Sequence, residues 1–82
     1  MLEAASGSGN SKAGKVEGVL TAKSATGVVI RVRNGSTVSL KVVATTKIEV
    51  ADVRVPVTKL RIGARTQALF DPATNVASKV EQ

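Results

Sequence analysis

The feature that most constrains the fold of this chain is an alternation of apolar and polar residues within short segments. In one such segment Val28, Ile30 and Val32 face one way, whereas Arg31 and Arg33 face the other. A period of two places every second side chain on the same face, which is typical of a β-strand with one buried face. Because most of the apolar positions are β-branched, they favour strands further. The chain is therefore predicted to be all-β.

Turn residues divide the chain into five or six short predicted strands. The predicted strands cover residues 16–23, 28–33, 38–43, 48–50, 64–70 and 76–80. Residues 52–58 also alternate, but Pro56 lacks an N–H group and confines this segment to a sheet edge or an irregular path. One helical turn is predicted over residues 58–63, with Thr58 as its N-cap and Gly63 at its end.

An Asn-Gly pair marks a β-hairpin between the second and third strands, and the apolar pattern selects its loop length. A two-residue loop would place Ile30 opposite Ser39, so that apolar residues would face polar ones. A three-residue loop over 33–35, with Gly35 left-handed in a G1 bulge, instead places Ile30 opposite Val38. We therefore predict the three-residue loop.

The 82 residues are predicted to form one small domain over residues 15–82, preceded by a tail. Residues 1–14 are rich in Ser, Gly and Ala and are expected to be a disordered linker or tag remnant. Phe70 is the one aromatic residue, so the core must consist of Val, Leu, Ile and Ala, and we expect Phe70 to be part of it. A domain of this size needs nearly all of its apolar residues for the core, which leaves few for a deep pocket.

The residue types exclude several kinds of active site. The chain contains no Cys and no His, which removes disulfides, zinc clusters and the commonest general base. Glu49, Asp52 and Asp71 are the carboxylates that turns could gather for acid–base or metal chemistry, and we interpret them as solvated or turn-forming. Thr45 and Thr46 are interpreted as turn hydroxyls that bond nearby backbone. We expect no catalytic residue, no cofactor, no metal site and no enzymatic activity.

The formal net charge of +6 raises the question of an anionic partner, since Lys and Arg release counterions when they contact phosphate. Arg31, Arg33 and Lys41 lie on the outward face of the second and third predicted strands and are the candidate nucleic-acid-binding residues. Arg31 and Lys41 should be about 13 Å apart along the strands, and the chain has no Tyr or Trp to stack a base. We therefore favour solubility as the role of the charge. A second set of cations is interpreted as a solvated collar around the helical turn: Lys59, Arg61 and Arg65.

A succession of short motifs over residues 16–81 resembles a family of small bacterial domains of unknown function. That family has a Gly-x-Val opening, a Thr-x-hydrophobic element after the third strand, a Leu-x-x-Gly turn and a closing Ala-x-x-hydrophobic strand. The corresponding segments here are Gly18-Val19, Asn34-Gly35, residues 45–48, residues 60–65 and residues 76–81.

The resemblance implies an OB-like barrel of five to six antiparallel strands with at most one short helical turn, usually found in exported or envelope-associated bacterial proteins. It implies no established chemistry and carries over no catalytic residue. Two departures affect the middle of the barrel. Ala64 stands where the family has an acidic residue, and the segment around Pro56 is longer than expected.

The function expected from the sequence is that of a non-enzymatic accessory, structural or protein-interaction module of an exported bacterial protein. It would dock to a protein or an envelope partner through an edge strand or the outward surface of Val29 and Val43. The alternative is a single-stranded nucleic-acid-binding domain that uses Arg31, Arg33 and Lys41. No apolar run approaches the roughly 20 residues that span a bilayer, and the first residues lack the pattern of a signal peptide.

The hairpin generates a test of its loop type. Gly35→Val is expected to lower the free energy of unfolding by more than about 1 kcal/mol, because a β-branched residue resists the left-handed region. Chemical denaturation of the two proteins measures the difference. A neutral substitution would mean that the loop is of another type.

Overall fold

A computed structural model describes residues 14–82 as seven β-strands and one 3₁₀ turn. The strands are β1 (Gly14–Ser24), β2 (Gly27–Arg31), β3 (Thr37–Lys41), β4 (Lys47–Val50), β5 (Val53–Arg54), β6 (Arg65–Asp71) and β7 (Val76–Glu81), and the 3₁₀ turn covers Val57–Lys59. The predicted all-β class with at most one short helical turn is confirmed. Of the predicted tail, residues 1–13 lie outside the described residues, and Gly14 is the first residue of β1.

Five of the strands close into an OB-like barrel. Neighbouring strands pair in the order β3-β2-β1-β6-β7, and a parallel bridge between Lys41 and Val76 joins the two ends. β4 adds to β7 in a parallel pair, and β5 adds to β4. Among residues 14–82, no helix is long and apolar enough to cross a membrane.

The odd number of strands in the ring explains the parallel closure. The four pairs from β3 to β7 are antiparallel, so the strand direction reverses four times around the ring. After four reversals β7 runs in the same direction as β3, and the fifth pair must be parallel. The expectation of a wholly antiparallel barrel is therefore wrong for a geometric reason.

The hairpin between β2 and β3 has the predicted register. Ile30 lies opposite Val38, and the Gly35 N–H donates a hydrogen bond of 2.9 Å to the Val32 carbonyl. Gly35 has a φ of +93°, as the G1 bulge requires. The alternation of β-branched residues and the Asn-Gly pair were thus sufficient to predict both the loop and the pairing.

A bulge in β1 reverses the faces that the alternation predicted. Leu20 pairs with Ile30 but Ala22 pairs with Val29, so Thr21 is an extra residue on β1. Unbroken alternation from Val16 and Leu20 would place Ala22 on the core face, but Ala22 is exposed. The same alternation would place Lys23 outward, but Lys23 is half-buried.

The Lys23 side chain caps the segment that follows β5. Its Nζ donates hydrogen bonds of 2.6 Å to the carbonyl oxygens of Thr58 and Leu60. The predicted helical turn is present, but it covers Val57–Lys59 and not residues 58–63, and Thr58 is not its N-cap, because the turn begins after Pro56 and has no side-chain cap. Proline is well suited to the start of such a turn, since its fixed φ is helical and it needs no N–H partner there.

The core is formed by aliphatic side chains from every strand but β5, together with Leu60. Its buried members are Val16, Leu20, Val28, Ile30, Leu40, Ile48, Leu60, Ala68, Ala77 and Val80. Phe70 packs against this core but is only partly buried. Its ring covers Gly14, where a Cβ atom would be 2.6 Å from the ring Cζ. Phe70 therefore closes one rim of the barrel rather than filling its centre.

Gly18 allows β1 to pair with two neighbouring strands, β6 and β2. Residues 14–19 of β1 pair with β6, and residues 19–24 pair with β2. At the point of transfer, a Cβ atom on Gly18 would overlap the carbonyl oxygen of Arg31 and lie 3.0 Å from Cγ2 of Ile30. Gly18 has no positive φ, so the requirement here is for space and not for backbone freedom. A glycine at such a strand position is typical of a tight bend in a barrel.

Gly18→Ala is therefore expected to lower the free energy of unfolding by about 1–3 kcal/mol or more, because the backbone of β2 must move away. Gly27→Ala is the matched control, since its Cβ would be 3.2 Å from the Leu40 carbonyl oxygen and needs only a small shift. Urea denaturation compares the three proteins. Equal losses for the two variants would contradict a specific close approach at Gly18.

Candidate functional site

The three candidate nucleic-acid-binding residues lie at two separate places in the structure. Arg31 ends β2, and Arg33 follows it in the hairpin loop; both line a concavity that is open to solvent. Lys41 lies at the far end of β3, opposite Gly27. The four-residue separation of Arg31 and Lys41 along the ladder is as predicted, and the two side chains do not form one patch.

Arg65 joins Arg31 and Arg33 at this concavity, although the sequence placed it in the collar of the helical turn. Val19 explains the arrangement, because it pairs with Arg31 on β2 and with Arg65 on β6. Opposed residues share a face, and two strand spacings put the two arginine Cα atoms about 10 Å apart. We call Arg31, Arg33 and Arg65 the arginine cluster.

The arginine cluster is weakly neutralised. Of the carboxylates that the structure describes, Glu17 alone lines the concavity, and its Oε1 lies 3.9 Å from Nη2 of Arg65. The Arg65 side chain is 84% exposed, so this ion pair is weak and easily exchanged. Within residues 14–82, Arg31 and Arg33 form no ion pair. Guanidinium groups bind carboxylate and phosphate oxygens in a bidentate manner, so the cluster is suited to such anions.

The segment of the chain that contains Arg31 and Arg33 has cations and no acidic residue of its own. Residues 18–48 contain no Asp or Glu, and their cations are Lys23, Arg31, Arg33, Lys41 and Lys47. These residues form the second half of β1, all of β2 and β3, and the start of β4. Lys23 is occupied by backbone carbonyls, whereas the other four are exposed. We call this part of the surface the cationic half.

Three acidic residues gather in a second cluster, which the sequence only partly predicted. Carboxylate oxygens of Glu49, Asp52 and Glu81 lie within 4.8 Å of one another. The parallel pairing of β4 with β7 places Glu49 beside Glu81, a neighbour that local patterns do not reveal. Lys79 sits among them, with its Nζ 3.8 Å from Glu49 and 3.5 Å from Glu81. The cluster therefore already contains a cation from its own chain.

Asp71 does not join the acidic cluster. Its Oδ1 accepts a hydrogen bond of 2.8 Å from the Ala73 N–H, so it starts the turn between β6 and β7 as interpreted from the sequence. Thr46 is also structural: its Oγ1 accepts from the Val43 N–H and donates to the Ala77 carbonyl at 2.7 Å. These side chains hold turns in place against the barrel.

The apolar docking surface predicted from the sequence consists of two valines that belong to the cationic half. Val43 is 43% exposed in the loop after β3, whereas Val29 is half-buried on β2 between Ala22 and Ser39. The apolar docking surface expected from these two valines is therefore small. The more exposed apolar residues are Val53 and Ile62.

Comparison of the chain with protein-family models, with curated proteins and with solved structures finds no match. The all-β barrel architecture that the family resemblance implied is present in the structure.

The acidic cluster generates a salt-dependent prediction. Lys79→Gln is expected to lower the free energy of unfolding by about 0.5–1 kcal/mol at low salt, because three neighbouring carboxylates lose their cation. The loss should shrink as salt screens the remaining repulsion. Lys59→Gln, at an exposed position of the 3₁₀ turn, is the control and should be near neutral. Urea denaturation at low and high salt measures both, and a salt-independent loss would contradict the electrostatic explanation.

Proposed function

We propose that this domain is a non-enzymatic interaction module that binds an acidic partner through its cationic half, with the arginine cluster as the centre of contact. The observation that carries the proposal is that Arg31, Arg33 and Arg65 are exposed and line one concavity beside Val19, in which Glu17 is the single carboxylate contributed by residues 14–82. Complementary charge accelerates encounter and selects partners of the opposite sign.

The shape of the surface favours a macromolecular partner over a small metabolite. Small-molecule sites are usually deep and lined by apolar and aromatic side chains. The concavity of the arginine cluster is instead open to solvent and is lined by four charged residues with no aromatic side chain among them, and Phe70 packs against the core. An extended acidic partner can contact all three arginines and the exposed lysines of the cationic half, whereas a small anion can contact only a few of these cations at once.

The family resemblance supports a setting for this module. Domains with the same succession of short motifs occur mostly in exported or envelope-associated bacterial proteins, where small barrels serve as accessory domains. We propose the same setting for this chain, as a structural or protein-interaction part of a larger exported protein.

Single-stranded nucleic acid is the second candidate partner. OB barrels commonly bind single strands on the outer face of their second and third strands, and Arg31 lies there. Such binding usually adds about 1–3 kcal/mol per stacked base from aromatic side chains. The cationic half contains no Phe, Tyr or Trp, so it offers charge without stacking. This difference makes an acidic protein the favoured partner.

Two matched triple variants test the proposal. Arg31, Arg33 and Arg65 are changed together to Gln, and the control changes Lys15, Lys59 and Arg61, which removes the same charge elsewhere. Amide chemical shifts are followed during titration with a short Glu-rich peptide and, separately, with single-stranded oligothymidylate. We expect peptide-induced shifts confined to the cationic half and Arg65, lost in the arginine variant and largely kept in the control.

Two outcomes would contradict the proposed function. Equal weakening by both triple variants would show that binding depends on net charge alone. Oligothymidylate binding that is tighter than peptide binding, survives physiological salt and disappears with the arginine cluster would favour the nucleic-acid reading.

A further inference from the structure

We infer that the partner's acidic segment binds as an additional β-strand along the free edge of β3. This inference rests on the proposed function and specifies the partner further, as an extended protein segment in which acidic and apolar residues alternate. The argument depends on which backbone groups of β3 are paired, on their chemistry and on the charge around them.

The hydrogen bonds at the two ends of the β2–β3 ladder show which groups of β3 point toward β2. The Val32 N–H donates to the Ser36 carbonyl at 2.8 Å, and the Val42 N–H donates to the Thr26 carbonyl at 2.9 Å. Backbone groups of an antiparallel strand point to alternate sides, so the even-numbered residues of β3 bond to β2. Odd-numbered residues therefore present their N–H and C=O groups to the opposite edge.

The opposite edge is paired at one end only. The Lys41 N–H donates to the Asn75 carbonyl at 2.8 Å, as the alternation requires. β3 pairs with β7 at the single bridge of Lys41 and Val76. The backbone groups of Thr37 and Ser39 face the same way, and no strand within residues 14–82 pairs with them.

The course of β7 explains why the chain leaves this edge open. Because β3 and β7 run parallel, extending the pairing of Lys41 with Val76 toward the start of β3 would place Ser39 and Thr37 opposite Thr74 and Pro72. Those two residues belong to the turn between β6 and β7, so no strand among residues 14–82 continues along this part of β3. A short open edge on β3 is the consequence.

The chemistry of the edge favours a peptide strand over a phosphodiester. Thr37 and Ser39 together offer two N–H donors and two carbonyl acceptors in alternation. A peptide strand matches both kinds of group, as in other cases of strand addition. Phosphate oxygens can only accept hydrogen bonds, so a nucleic-acid backbone would leave the two carbonyls unpaired.

The neighbouring side chains specify the sequence of the added strand. Thr37 and Ser39 point outward, and Arg31 lies beyond Thr37 in the same cross-strand row. Outward residues of an added strand would thus come within reach of Arg31, which favours Glu or Asp there. Arg65 lies two strands beyond Arg31, so the added strand would occupy one margin of the arginine cluster and the rest of the partner would contact Arg65. Inward residues would lie beside Val38, which is half-buried and packs on the core, and this favours Val or Ile. A second copy of this chain would bring cationic edges together and is disfavoured by repulsion.

The probe is a short peptide that alternates Glu and Val, studied with the full chain by hydrogen exchange and amide-shift titration. We expect the Thr37 and Ser39 amides to exchange at least about tenfold more slowly in the complex, because each becomes hydrogen-bonded. A peptide with N-methyl groups on the residues that face β3 should bind at least about tenfold more weakly. The same peptide methylated on the alternate residues is the matched control and should bind normally.

Ser39→Pro removes one of the free N–H groups and should weaken peptide binding in the same way, whereas Ser39→Ala should not. Edge strands tolerate proline when its N–H is not needed, and the methylated peptides test the edge on the unaltered protein if this variant fails to fold. Binding that is indifferent to methylation and leaves Thr37 and Ser39 unprotected would overturn strand addition while leaving the proposed function intact. Binding of oligothymidylate alone would overturn the partner class, and absence of any response in the cationic half would overturn both.

Discussion

The close contact of β2 with β1 at Gly18 is the constraint on which the rest of the structure depends. β1 must pair with β6 along its first half and with β2 along its second, and the change of partner occurs where a side chain on Gly18 would overlap the Arg31 carbonyl. A bend of this kind turns a meander of strands into a barrel. The bulge at Thr21 continues the bend and turns Lys23 toward the 3₁₀ turn.

The same bend creates the surface that we propose as functional. Val19 lies where β1 pairs with both β2 and β6, and its two cross-strand neighbours are Arg31 and Arg65. The ring closes incompletely, because β3 and β7 pair at a single bridge. β7 begins at Val76, opposite Lys41, so within residues 14–82 no strand lies beside the Thr37 and Ser39 backbone groups on that edge. A small barrel with few spare apolar residues thus offers charge and backbone groups in place of a pocket.

The sequence predicted those parts of the fold that depend on near neighbours along the chain. Alternation and the Asn-Gly pair were sufficient for the β2–β3 register, and Asp71 was recognised as the start of a turn. The β1 bulge was missed because an extra residue does not change the composition of the strand. It nevertheless reverses the face toward which every later side chain of the strand points. Arg65 was assigned to the wrong neighbourhood because its closeness to Arg31 depends on a strand pairing between distant parts of the chain.

What the sequence by itself determined is the strand class, the aliphatic core, the hairpin loop and the absence of acids between residues 18 and 48. These follow from composition and from interactions that span a few residues. Only the tertiary structure decided which cations share a surface, which carboxylates surround Lys79 and which edge of β3 stays open. The physical reason is that closure of the barrel joins strands that are far apart in the chain. The number of strands in the ring and the register between them are properties of the whole barrel.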